Sequence, residues 1–125
     1  MESADLILLW GSNARVAHPI YFHHVLKGIR NGARLIVIDP RRSESSEFAD
    51  LWLGIKVGSD IALANAICHE IITSGDANHE FVRNATGGFD AFVQHVGRFT
   101  AETVAPIVGV DAQVIKDLAK DIAAA

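Results

Sequence analysis

The sequence holds one cysteine, Cys68, among its 125 residues. An internal disulfide is therefore excluded, as is any zinc or iron–sulfur site built from this chain's thiolates alone, because such sites take several sulfur ligands. Long apolar runs are absent too. The first run, Leu6 to Trp10, is far shorter than a membrane span and has no basic stretch before it, so neither a membrane contact from this segment nor a targeting signal is read. The expected location is cytoplasmic. Basic residues are not in excess either: 11 Lys and Arg against 15 Asp and Glu give a formal net charge of −4, which argues against a nucleic-acid surface.

Familiar reaction motifs are missing as well. Gly11 begins no Gly-x-Gly-x-x-Gly and no Gly-x-x-x-x-Gly-Lys occurs, so neither the ordinary dinucleotide fingerprint nor a P-loop is present. His69-Glu70 and His79-Glu80 start like zinc-protease helices but reach Thr73 and Arg83 where the second histidine belongs. His23 and His24 are adjacent and point to different helix faces. No serine sits in a nucleophile-elbow setting, and Cys68 lies in an apolar helical stretch where thiols are usually inert. The chain is expected to supply no catalytic residue and no metal ligand.

What remains is an ordinary globular composition, 50% hydrophobic and 21% charged, patterned as an α/β domain. Leu6 to Trp10 and Leu35 to Ile38 are continuous apolar runs, the signature of strands buried on both faces. They flank a helix that opens near Pro19, carries Phe22, Val25, Leu26 and Ile29, and stops at Asn31-Gly32. This βαβ unit predicts parallel pairing, so strand carboxyl ends share an edge. Leu51 to Val57 reads as a third, weaker strand. Ser59 is expected to cap a helix with Ala64, Ile67, Cys68, Ile71 and Ile72 on one stripe, ending at Gly75. Three further helices are centred on Phe89 to Val96, Val104 to Val108 and Val114 to Ile122, the last two capped by Thr100 and Asp111. The expectation is one domain, residues 1–125, with a mostly parallel sheet in a three-layer, Rossmann-like arrangement followed by a helical C-terminal part.

Open parallel sheets bind ligands beyond the carboxyl ends of their strands, which singles out three loops. Gly11 lets a ligand approach the backbone, and Ser12 and Asn13 can donate to phosphate oxygens; the same tripeptide also makes a plain turn. Asp39 can accept from a ribose diol or from the guanine N1 and N2 edge, and can equally cap a turn. Arg41 and Arg42 offer guanidinium forks for phosphate, or surface partners for Glu44 and Glu47. Gly58, Ser59 and Asp60 place a close-approach glycine, a hydroxyl and a carboxylate at a helix start. A free-standing nucleotide-binding module, or a domain like the middle domain of thiamine-diphosphate enzymes, shares these features.

Taken together, Trp10-Gly11-Ser12-Asn13, His18-Pro19, Asn31-Gly32-Ala33, Ile38-Asp39-Pro40-Arg41-Arg42, Ala49-Asp50 and Gly58-Ser59-Asp60-Ile61-Ala62-Leu63 resemble the molybdopterin oxidoreductase family, formate dehydrogenase catalytic subunits above all. Glu80-Phe81-Val82, Gly88-Phe89, Phe99-Thr100-Ala101-Glu102 and Val108-Gly109-Val110 continue the resemblance in order. It implies a domain holding one of two guanine dinucleotide arms of a molybdenum or tungsten cofactor, with contacts at Gly11, Ser12, Asn13, Asp39, Arg41, Gly58, Ser59 and Asp60. Ala14 and Val57 depart from the family pattern, where prolines are common. The resemblance further implies that the chain is a segment of a longer catalytic subunit. The iron–sulfur cluster and the metal-ligating residue then belong to other segments, and the partners are the remaining domains and electron-transfer subunits.

Overall fold

The computed structural model describes residues 1–125, which divide into two compact units, Met1–Ile55 with Ala125, and Lys56–Ala124. In the first unit, β1 (Leu6–Trp10) leads through the single-turn helix α1 (Ala14–Ala17) into α2 (Pro19–Arg30) and β2 (Arg34–Ile38). A 3-10 helix, Glu44–Phe48, then precedes β3 (Leu51–Leu53). The sheet order is β1-β2-β3 and both pairings are parallel, as the crossover helix requires. Leu6 stands opposite Arg34 and Trp10 opposite Ile38, while Ile38 also stands opposite Leu53.

Alternation along the strands sends Ile7, Leu9, Leu35 and Val37 to one face, where they join Ala14, Phe22, Val25 and Ala33 in a buried cluster. Leu26, Ile29 and Trp52 pack against it. Ile36 and Ile38 are also fully buried, so β2 is covered on both faces, as its unbroken apolar run implies.

β3 is shorter than the sequence suggested, and the reason lies in β2. The amide of Asp39 donates to Leu53 O at 3.1 Å as the last rung. The next rung would need Asp39 O and Arg41 N, but Asp39 O accepts from Trp52 Nε1 at 3.0 Å and Arg41 N donates to Asp39 Oδ1 at 2.8 Å, so residues 54–57 find no partner in β2. The start of β3 is held by Asp50: its amide donates to Leu35 O at 2.9 Å and its carboxylate accepts from Leu35 N at 2.8 Å.

The second unit is helical: α3 (Asp60–Ser74), α4 (His79–Ala85), α5 (Phe89–Val96), α6 (Ala101–Val108) and α7 (Ala112–Ala124). α3 packs against α5, α6 and α7. The buried stripe of α3 is Leu63, Ala66 and Ile67, one step round from the expected one, and Ala64, Cys68, Ile71 and Ile72 are only half-buried. Partial burial pushes the Cys68 thiol above its ordinary value. Thr100 and Asp111 accept from the amides of Thr103 and Gln113, at 3.2 and 2.8 Å, as N-caps do. The glutamate Glu70 of α3 accepts from Ala101 N at 3.0 Å, satisfying another open donor of α6. The chain is thus an α/β protein with a parallel sheet and a helical C-terminal part. No helix is long and apolar enough to cross a membrane.

Candidate functional site

In the first unit the carboxyl ends of β1 and β2 lie side by side, because Trp10 and Ile38 are register partners. Gly11 and Asp39 therefore leave neighbouring strands at the same edge. The Gly11 amide donates to Ile38 O at 2.8 Å, and its φ of +58° is a left-handed step that a side chain rarely adopts. A Cβ there would meet nothing within 4 Å, so the space above the turn is open. Ser12 is half-buried and lines a cavity of about 790 Å³ with Leu8, Leu9, Trp10, His18 and Tyr21.

Asn13 is tied inward. Its Nδ2 donates to Glu44 Oε2 at 2.7 Å and its Oδ1 accepts from Ser45 Oγ at 3.1 Å. The same Ser45 Oγ accepts from Arg15 N at 2.9 Å, and Arg15 pairs with Glu47 at 2.6 Å. The Glu44 backbone N–H, and then the Asn13 amide, hold the Glu44 carboxyl below its ordinary range. The Asn13 side chain thus already donates to an anionic oxygen. The helix that follows, α1, is only four residues long, so its dipole adds little.

Asp39 is half-buried and its Oδ1 accepts from Arg41 N at 2.8 Å, the turn-capping role that the sequence also allowed. Trp52 Nε1 donates to Asp39 O at 3.0 Å and fixes the main chain of the turn. Arg41 is exposed. Arg42 is not a freely solvated arginine: its guanidinium lies 5.7 Å from the centre of the Trp52 ring. Neither arginine forms the expected ion pair with Glu47, whose carboxylate is taken by Arg15. Ser43 is 3% exposed and its hydroxyl has no partner within the chain, which is unusual for a buried polar atom.

Gly58, Ser59 and Asp60 belong to the second unit. Ser59 occupies the N-cap position of α3, but its side chain does not cap. The hydroxyl instead donates to Lys56 O at 2.6 Å, closing the turn from behind. Lys56 is itself anchored, its amide donating to Val108 O and its Nζ to Pro106 O, each at 2.8 Å. Both acceptors are carbonyls that the end of α6 leaves open, and Gly109 takes a third, Ala105 O, at 2.8 Å. A Cβ at Gly109 would come within 3.1 Å of Lys56 Cε, so the helix end and the lysine stem are in close contact. Asp60 is half-buried in the first turn of α3.

Glu44 was read only as a surface partner for Arg41 or Arg42, and Ser45, Trp52 and Lys56 were not singled out by sequence. Their partners lie from 13 to 52 residues away, and no local pattern announces such pairings. No group of three or more His, Cys, Asp or Glu side chains is arranged to hold a metal ion. The groups at the strand ends that could meet an anionic, nucleotide-bearing group are the open backbone at Gly11, the hydroxyl of Ser12, the guanidinium of Arg41, and Asp39 as acceptor, whereas the Asn13 amide is engaged by Glu44 and Ser45.

Comparison with known proteins shows the family. The chain is 39% identical to formate dehydrogenase H of Escherichia coli over 96% of its own length and 17% of that protein. It is 38% identical to the alpha subunit of F420-dependent formate dehydrogenase 2 of Methanococcus maripaludis, over 96% of the chain and 18% of the relative. An assimilatory nitrate reductase of Haloferax mediterranei is 33% identical over 95% of the chain and 16% of its own length. Among solved structures, the acetylene hydratase of Pelobacter acetylenicus superposes with a TM-score of 0.88 at 31% identity, over 95% of this chain and 17% of that one. The chain thus spans under a fifth of the proteins it matches. The family model for molybdopterin oxidoreductases matches residues 1–122, and the chain belongs to that family.

Proposed function

We propose that residues 1–125 form one Rossmann-like domain of a formate dehydrogenase-type catalytic subunit, holding a guanine dinucleotide arm of the molybdopterin-type cofactor that family membership implies. Gly11, Ser12, Asn13 and Arg41 would receive its phosphates, Asp39 its guanine or ribose, and Gly58, Ser59 and Asp60 would contact it from the start of α3. The observation that carries this reading is the adjacency of two donor-rich loops at one sheet edge, in a chain whose family model matches residues 1–122. When bound, the metal centre of such a cofactor supplies the redox chemistry. This chain's residues would bind and orient that group. Formate is favoured as substrate because the first relatives are formate dehydrogenases. The remaining domains of the subunit, and electron-transfer subunits, would be its partners in the cytoplasm.

The test uses the polypeptide encoded by the complete reading frame. It should carry molybdenum or tungsten, release GMP on acid hydrolysis in proportion to that metal, and oxidise formate with a dye acceptor. Release of no GMP would overturn the cofactor assignment. Nitrate reduction without formate oxidation would overturn the substrate and leave the cofactor assignment standing.

A further inference from the structure

A parallel ladder pairs main-chain groups with main-chain groups. At the end of β2 a side chain takes over that task. Asp39 N donates to Leu53 O at 3.1 Å as the last rung, and the phase of the ladder would next bring Ile55 N to Asp39 O. That carbonyl is instead taken by Trp52 Nε1 at 3.0 Å, from the middle residue of β3 itself. The indole replaces a rung and ends the sheet where the Asp39 turn begins.

Gly54 gives the ring room to do so. A Cβ at that position would come within 2.8 Å of Trp52 Cη2 and 2.9 Å of Cζ2, closer than real Cβ atoms stand to other heavy atoms. Gly54 does not have a positive φ, so its backbone does not itself call for glycine; the ring does. The ring also packs against the buried cluster that holds Leu35 and Val37, the latter its register partner, and the Arg42 guanidinium lies 5.7 Å from its centre.

Asp39 is fastened at its N–H by Leu53 O, at its C=O by Trp52 Nε1 and at Oδ1 by the Arg41 N–H, which leaves Oδ2 as its open acceptor. We infer that Trp52 is the positioning residue of the Asp39 turn, acting through its ring N–H, and that the missing side chain of Gly54 is the condition for it. The functional half of this inference rests on the reading that Asp39 receives the nucleotide. On that reading the pair orders the acceptor during folding, so the cost of ordering it is not met again at binding. Without the indole N–H the Asp39 carbonyl is released to Ile55 N or to water, and the carboxylate turns with it.

The test is amide hydrogen exchange, read residue by residue in the polypeptide of the complete reading frame, with the GMP released by acid counted on the same samples after dialysis. The Arg41 amide reports the turn and the Val37 amide reports the sheet. Trp52→Phe keeps an aromatic ring without the N–H, and Gly54→Ala displaces the ring. Each should speed Arg41 exchange about two- to tenfold, the worth of one hydrogen bond, and leave Val37 unchanged. Trp52→His places Nε2 at the same point of its five-membered ring as the indole Nε1 and lacks the ring half that meets Gly54. It should exchange at Arg41 like the parent, and adding Gly54→Ala to it should cost nothing further. GMP content should follow Arg41, lowered about two- to tenfold in Trp52→Phe and Gly54→Ala and kept in Trp52→His. Parent-like Arg41 exchange in Trp52→Phe, fast exchange in Trp52→His, or an equal effect of Gly54→Ala in both backgrounds would overturn the inference. Should Trp52→Phe lose its Val37 protection as well, Trp52→His with and without Gly54→Ala decides alone. A released Arg41 amide with unchanged GMP content would also overturn the inference and leave the cofactor reading standing. Absence of GMP from every form, the parent included, would overturn the cofactor reading, and the Arg41 amide would still decide the role of Trp52.

Discussion

Replacing Asp39 separates the two tasks that its carboxylate is assigned. Oδ1 is occupied by the Arg41 amide at 2.8 Å, which leaves Oδ2 as the acceptor for a guanine or ribose donor. Asp39→Ala removes both oxygens; Asp39→Asn keeps Oδ1 for the turn and exchanges Oδ2 for a donor. Losing the turn bond should cost the folded chain about 0.5–1.5 kcal/mol. Losing a hydrogen bond to a charged acceptor should cost about 1.5–3 kcal/mol of binding, or about ten- to a hundredfold in affinity. Calorimetric titration with GMP and AMP, compared as ratios to the unchanged chain, should therefore show both variants weakened for GMP while only Asp39→Ala loses stability in urea. If Oδ2 pairs with the guanine edge, the preference for GMP over AMP should vanish in both; a ribose contact leaves that ratio unchanged. Arg42→Ala should alter Trp52 fluorescence, because the two side chains are stacked, and leave GMP affinity alone. GMP binding by Asp39→Asn at the original affinity, or its abolition by Arg42→Ala, would refute the assignment.

Gly11→Ala should lower stability by about 1–2 kcal/mol through its left-handed φ alone, since a methyl group meets nothing there; an unchanged thermal midpoint would count against the turn as described. Glu70→Ala should cost about 1–3 kcal/mol by leaving the Ala101 amide without its partner, and Glu70→Gln, which keeps the acceptor, should recover most of it. The carboxyls of Glu2, Glu44 and Glu102 are held below their ordinary value of 4.5 by His24, the Glu44 backbone N–H and Lys116 respectively. Depressed carboxyls contribute stability that is present above the ordinary value and lost as pH falls through the folded one. Denaturant titrations from pH 7 to about 3 should thus show the decline setting in near 4.5, flattened by about 1 M salt because all three are exposed. A rise in stability across that window would contradict these pairings.

β1, α2 and β2 were legible because each is written locally: an unbroken apolar run, a helical stripe after Pro19, and the stops Asn31-Gly32 and Asp39-Pro40. Gly75, with φ +83°, ends α3 as read. α4 was missed for a physical reason, since it buries no residue and so carries no apolar stripe. The 3-10 helix Glu-Ser-Ser-Glu-Phe is polar and short, and its purpose shows only where Glu44 and Ser45 meet Asn13. The length of β3 depended on the turn after β2, where Asp39 O and Arg41 N are already taken, and a window centred on Leu51 to Val57 does not contain that turn. Ser59 was placed correctly at the helix start, but its hydroxyl turned to Lys56 O instead of the helix amides. The loops of the candidate site were thus readable from strand ends, whereas the interactions that set their side chains are long-range.

Lys56 gives the second unit's loop a mechanical property that its glycine and serine would not suggest. Its main chain and its side chain are fastened to the same helix end, at Val108 O and Pro106 O, with the stem resting on Gly109. A segment clamped at both levels swings with α6 as one rigid lever and has little freedom of its own. The entropy of ordering Gly58 to Asp60 is consequently spent during folding and not again on encounter with a ligand. A side chain shortened at position 56 would give that freedom back and slacken the loop on the nanosecond scale.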